Sequence, residues 1–142
     1  MNKASLAQRY AKALCALVPK DKLDDSREEL QSFGRLLGES HEFYNMLNNE
    51  TLELGVRQRL LDVVLKKLGP PEVIFRFFHL LLRNGRMSLI GAIIEQYEHE
   101  IDRRLGRMRG ELLAPIEVPI EDVQALEKRL KGLLGADVML SL

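Results

Sequence analysis

The chain has 142 residues, 46% hydrophobic and 30% charged, which suits one packed domain or one domain plus a small extra unit. Lys+Arg 21 balances Asp+Glu 21, so no net charge draws the molecule toward nucleic acid or anionic membranes. Cys15 is the only cysteine, which excludes an intramolecular disulfide. No segment approaches the ~18 consecutive apolar residues of a membrane-spanning helix.

Six helical stretches are expected before the pattern changes near Gly106. In the first, Leu6, Tyr10, Ala13, Leu14 and Leu17 recur at three- and four-residue steps and share one face, and Pro19 stops it. Cys15 lies in this apolar stretch and is expected to be a buried, inert thiol. The segment could pass for a short basic leader, but it has one arginine before Pro19 and a regular apolar stripe, so it is read as part of the fold. Charge is uneven here. The first twenty residues carry Lys3, Arg9, Lys12 and Lys20 and no acid, whereas Asp24, Asp25, Glu28 and Glu29 cluster just after them. Two solvated helix faces of opposite sign are the simpler reading, a partner surface the sharper one.

The second stripe is Leu23, Leu30, Phe33, Leu36 and Leu37, with Gly38 as terminator. Ser40 can cap a short third helix bearing Phe43, Met46 and Leu47. The fourth runs from about Leu54 to Leu68 with Val56, Leu60, Val63, Val64 and Leu68 as its stripe, and Gly69-Pro70-Pro71 ends it. The fifth, Val73 to Leu82, is apolar around almost its whole circumference, interrupted at Arg76 and His79. Such a helix is central to a bundle, or touches a partner as well as the core. Asn84-Gly85 ends it. The sixth starts near Arg86 and carries Leu89, Ile90, Ile93, Ile94, Tyr97, Ile101 and Leu105, and Gly106 closes it. Glu111 to Val118 is expected as a strand, with Pro115 arguing for an edge or bulge. A seventh helix follows Pro119 with Val123, Leu126, Leu130, Leu133 and Leu134, and Asp137 to Leu142 reads as a second strand.

Catalytic and metal constellations are not expected. His41, His79 and His99 lack metal-ligand spacing, although His79 and Glu95 could meet in space. There is no Gly-x-Ser-x-Gly elbow and no phosphate-cradling glycine loop. Glu95, Glu98, Glu100 and Asp102 read as a solvated helix face rather than an acid/base pair. Arg103, Arg104, Arg107 and Arg109 could hold nucleic-acid phosphates. Complementing a helix C-terminus and solubilising a linker accounts for them more simply, since no aromatic interleaves them and acids precede them. The alternative to the reading below is therefore a stand-alone helical nucleic-acid-binding domain using this cluster. Tyr10 and the Leu/Phe stripe of the fifth helix read as core, or as one wall of a groove accepting an amphipathic partner helix.

Three features in order resemble the delta subunit of F-type ATP synthases, the family of the mitochondrial oligomycin sensitivity-conferring protein. These are Ala-x-x-Tyr-Ala-x-Ala-Leu at Ala7 to Leu14, the Asn-Gly-Arg turn at Asn84 to Arg86 between two apolar helices, and the glycine link into a strand and helix over Gly106 to Leu134. The resemblance implies a mainly α fold, with a six-helix bundle over residues 1–105 and a small, incomplete strand-helix-strand α/β unit over 106–142. It implies a non-catalytic connector without metal or cofactor, peripheral on the cytoplasmic side of a bacterial inner membrane. The bundle would bind the N-terminal helix of an alpha subunit through the first and fifth helices, at Tyr10, Ala13, Phe77 and Leu80. The C-terminal unit would face the b subunits of the peripheral stalk. Family members continue past the second strand into a further turn, strand and helix, whereas this sequence stops at Leu142, so the resemblance supports head binding more fully than stalk binding.

Overall fold

A computed structural model describes residues 2–112 and 117–141. The protein is mainly α. Helix α1 spans Lys3–Leu17, α2 Leu23–Glu39, α3 His41–Asn48, α4 Leu54–Leu68, α5 Glu72–Arg83, α6 Ile90–Leu105 and α7 Ile120–Leu134. Short 3-10 turns at Lys20–Lys22 and Met87–Leu89 lead into α2 and α6. Strands β1 (Arg107–Glu111) and β2 (Asp137–Ser141) pair in parallel, Arg107 opposite Asp137 and Glu111 opposite Ser141. The chain forms two compact units, one through Glu100 and one from Ile101.

Local chemistry sets most helix ends. Asn2 caps α1, its side chain accepting from the Ser5 N–H at 2.8 Å, and Ser40 caps α3 through the Phe43 N–H at 3.3 Å. Gly69, at φ 64°, ends α4 in the left-handed conformation that side-chain-bearing residues avoid. Gly38 does not end α2. The helix runs through it to Glu39 and stops only where the Ser40 backbone turns extended to cap the next helix.

The core of the first unit is built on Phe33 of α2. Its ring stacks on Phe78 of α5 at 4.1 Å between centroids and meets Phe43 of α3 edge-on at 6.4 Å. Around it Leu30, Leu47, Leu61, Leu65, Ile74, Leu81 and Ile93 are fully buried. The Ser26 hydroxyl donates to the Leu23 carbonyl at 2.6 Å, so at 2.7 Å the buried Tyr97 hydroxyl is left to donate to Ser26. This satisfies two polar groups inside the α2–α6 packing. Cys15 is buried.

Four further expectations are corrected. The buried face of α4 is Leu61 and Leu65, while Val63 and Leu68 are exposed. The helix carries two apolar stripes, and Asp62, one residue on from Leu61, is bonded to His79 of α5 at 2.5 Å. That bond also gives His79 a partner on α4 rather than Glu95. The acids of α6 are not a uniformly solvated face: Glu95 is exposed, but Glu100 and Asp102 are buried and Glu98 accepts from Gln31. Finally, the first strand begins at Arg107, four residues ahead of the Glu111 start expected. Gly106 reverses the chain at φ 64°, and its carbonyl accepts the Asp137 N–H at 3.0 Å, so the ladder opens at once. Of the rest of the expected strand, Leu112, Glu117 and Val118 are not in a strand, while residues 113–116, Pro115 among them, lie outside the described residues, as does Leu142.

In the second unit α7 follows β1 and leads back through Gly135, at φ 67°, to β2. From β1 onward Val123 is the one buried hydrophobic residue among those described, whereas Met108, Ile120, Leu126, Leu133, Leu134 and Met139 are exposed. Asp137 accepts a hydrogen bond from Lys131 at 2.8 Å, and that bond, with Arg107 adding a smaller pull, holds its carboxyl below the usual carboxylate range.

Candidate functional site: an apolar groove between α1 and α5

Helix α1 buries Ala7, Ala11, Leu14 and Cys15. The small Ala7 and Ala11 let its backbone sit close to the core, and this leaves the adjoining stripe of Tyr10, Ala13 and Leu17 at the surface. Leu17 is 70% exposed, although its spacing assigns it to the core stripe. Helix α5 turns Ile74, Phe78, Leu81 and Leu82 inward, and its apolar excess appears on the side toward α1.

Between them lies an open groove of about 370 Å³. Leu14, Leu17, Val73, Phe77 and Leu80 line it, with Glu72 and Arg76 at the edge. Tyr10 and Phe77 meet edge-on, centroids 6.3 Å apart at 73°, a favoured aromatic geometry. The Tyr10 hydroxyl accepts from the Asn84 side-chain amide at 3.1 Å, which ties α1 to the turn that ends α5. Glu72 and Arg76 pair across one turn at 2.7 Å, both exposed, so neither charge enters the apolar floor.

The four residues singled out from sequence thus fall differently. Phe77, 6% exposed, is groove floor and core together. Leu80, 37% exposed, offers its side chain to the opening. Tyr10 is half-buried against Phe77. Ala13 is exposed on the groove-side stripe of α1 but is not among the residues lining the hollow. Leu17 and Val73 line it and were not singled out. No local signal marked Leu17: its spacing from Tyr10 and Leu14 places it on the core stripe, and its neighbour Val18 is buried.

A second hollow of about 370 Å³ adjoins the first at Val73, which lines both. It is bordered by Lys22, Asp25, Ser26 and Glu29. Here Glu29 Oε2 is buried without a hydrogen-bond partner, and burial, with Asp25 nearby, raises the Glu29 carboxyl above its ordinary value. On another side of the bundle a hollow of about 290 Å³ is lined by Gly34, Leu37, Tyr44 and Ile90, with His41 at its edge. Among the described residues no group of three or more His, Cys, Asp or Glu is placed to hold a metal ion, and no helix is long and apolar enough to cross a membrane.

A helical bundle that leaves an open apolar groove between two of its helices is of the class suited to helix-in-groove recognition. Comparison with known proteins gives the family. The family model described as ATP synthase delta (OSCP) subunit matches residues 6–142. The ATP synthase subunit delta of Desulfatibacillum aliphaticivorans is 30% identical over 142 residues, which cover 99% of this chain and 78% of that protein. That of Magnetococcus marinus is 29% identical over 143 residues, covering 100% and 78%, and that of Rhodospirillum centenum 28% identical over 140, covering 98% and 75%. The chain belongs to the ATP synthase delta (OSCP) subunit family.

Proposed function

We propose that this protein is a non-catalytic connector in the peripheral stalk of an F-type ATP synthase. Its helical unit binds the N-terminal helix of an alpha subunit at the catalytic head. Its C-terminal unit faces the b subunits, and the joint resists rotor torque while proton flow drives ATP synthesis. Membership of a family of ATP synthase subunits supports the setting. The observation that carries the docking role is the α1–α5 groove, where Leu17 and Leu80 are held at the surface over a floor of Leu14 and Phe77. Apolar side chains so placed gain by covering with the apolar stripe of another helix. Tyr10 and Phe77 shape the floor, Leu80, Leu17 and Val73 supply contact area, and Ala13 lets a partner backbone approach the lip. For the stalk, exposed Ile120, Leu133 and Leu134 support a second docking face on the C-terminal unit.

The test is titration of a synthetic alpha-subunit N-terminal peptide against wild type, Leu80→Asp and Ala13→Asp, with circular dichroism as the fold control. Both positions are exposed, so the variants are expected to fold. Covering an unpaired carboxylate costs several kcal/mol, on the order of a hundredfold or more in affinity. Folded variants that bind as tightly as wild type would place the docking surface elsewhere. A wild type that ignores the peptide but binds DNA with a steep salt dependence would overturn the connector reading.

A further inference from the structure

Charged side chains are distributed unevenly along the groove. Tyr10 meets Phe77 and Asn84, while Leu14 and Leu17 share the hollow with Glu72 and Val73, so α1 and α5 run antiparallel. One end of the groove therefore lies at the start of α1 and the end of α5, and the other at the end of α1 and the start of α5.

The two ends carry opposite charge. At the first, Lys3 stands seven residues before Tyr10 on the same stripe of α1, and Arg83 and Arg86 flank the Asn84 turn, all three exposed. One carboxylate is near: Glu50 Oε1 lies 3.7 Å from where a Gly85 Cβ would sit. Three cations outweigh it. At the second end the groove runs at Val73 into the hollow bordered by Asp25 and Glu29, with Lys22 the one cation among its lining residues. Glu72 is at this end too, but Arg76 already neutralises it. Glu29 Oε2 is buried and has no hydrogen-bond partner among the described residues, and the exposed carboxylate of Asp25 is the one a partner's cation would meet first. From Val73 to Arg83 along α5 the ends are about 15 Å apart, some ten residues of a docked helix.

We propose that the groove selects and orients a charge-polarised amphipathic helix, its acidic end over Lys3, Arg83 and Arg86 and its basic end over Asp25 and Glu29. This rests on the docking role proposed above and adds the partner's charge pattern and direction. Opposite-sign ends lower the energy of one orientation and raise that of its reverse, so they fix register where apolar contact alone would not.

The experiment uses the whole chain and a synthetic amphipathic helix with glutamates at one end, lysines at the other and a leucine stripe between. The helix carries a nitroxide at either end in separate preparations. With the acidic-end label, amide signals of Lys3 to Ala7 and of Arg83 to Arg86 should broaden. With the basic-end label, those of Leu17 to Glu29 should broaden instead. The Lys3→Glu, Arg83→Glu double variant, altered only at exposed positions, should bind about tenfold more weakly at low salt, with the difference shrinking as salt rises. Equal broadening at both ends, the reverse pattern, or a double variant as tight as wild type overturns the polarity and leaves the groove standing. If neither this helix nor the alpha-subunit peptide binds wild type, the docking role falls and the polarity with it.

Discussion

The two units solve the burial problem to different degrees. In the first, helices joined by short links each bring an apolar stripe, and the stripes close on one another around Phe33, Phe78 and Leu65. In the second, one helix lies beside a two-stranded parallel sheet. That is too little surface to enclose a core, and Leu133, 80% exposed, and Ile120, 72% exposed, are left outside. Helices satisfy their own backbone and need only one covered face. A parallel sheet needs both faces covered and its edges managed. Apolar residues therefore close on a core in one region and remain at the surface in the other.

Core truncation should break this contrast most visibly. Phe33→Ala removes a fully buried ring and is expected to cost about 3–5 kcal/mol in denaturant unfolding, while Leu133→Ala should change stability by under about 0.5 kcal/mol. If the two costs were similar, the second unit would hold a covered face that these residues do not reveal. Hydrogen exchange should separate the units next. Amides from Gly110 onward are expected to exchange faster than those of α5, and protection equal to α5 would reveal a closed second core.

A smaller effect concerns the buried polar pair. Tyr97→Phe removes the donor to Ser26 and should lower stability by about 1 kcal/mol, measured by thermal or urea unfolding. An unchanged midpoint would mean that the hydroxyl pair contributes nothing net to the α2–α6 packing.

The smallest effects have opposite signs in the two units. Asp137 titrates below its ordinary value, so its contribution is present above the carboxylate range and is lost as pH falls through its folded pKa. Glu29 titrates above its ordinary value, so its ionised form carries a cost that acid relieves. Glu29→Gln should accordingly raise stability at neutral pH, by well under about 1 kcal/mol given partial solvent screening, with the gain vanishing below the carboxylate range. Asp137→Asn should do the reverse, lowering the local stability of the second unit at neutral pH but not in acid. Unfolding and local exchange followed across pH would check both signs.

Sequence by itself determined the helical elements, because three- and four-residue apolar spacing and glycines at Gly69, Gly85, Gly106 and Gly135 are local signals that the backbone obeys locally. It also gave the family-like segments at Ala7 to Leu14 and Asn84 to Arg86. It could not decide which of two stripes α4 would bury, that Leu17 would stay outside, or that His79 would find Asp62. Those outcomes depend on how far each helix rotates to meet its neighbours. The start of β1 was illegible for a related reason: its pairing partner lies thirty residues away, and a strand rich in arginine carries no apolar alternation to announce it. The groove was legible only as an excess of apolar residues on α5. Its floor and its lip required α1 and α5 to be antiparallel neighbours, and that pairing is set by the packing of the whole bundle, because no local interaction within either helix specifies the other.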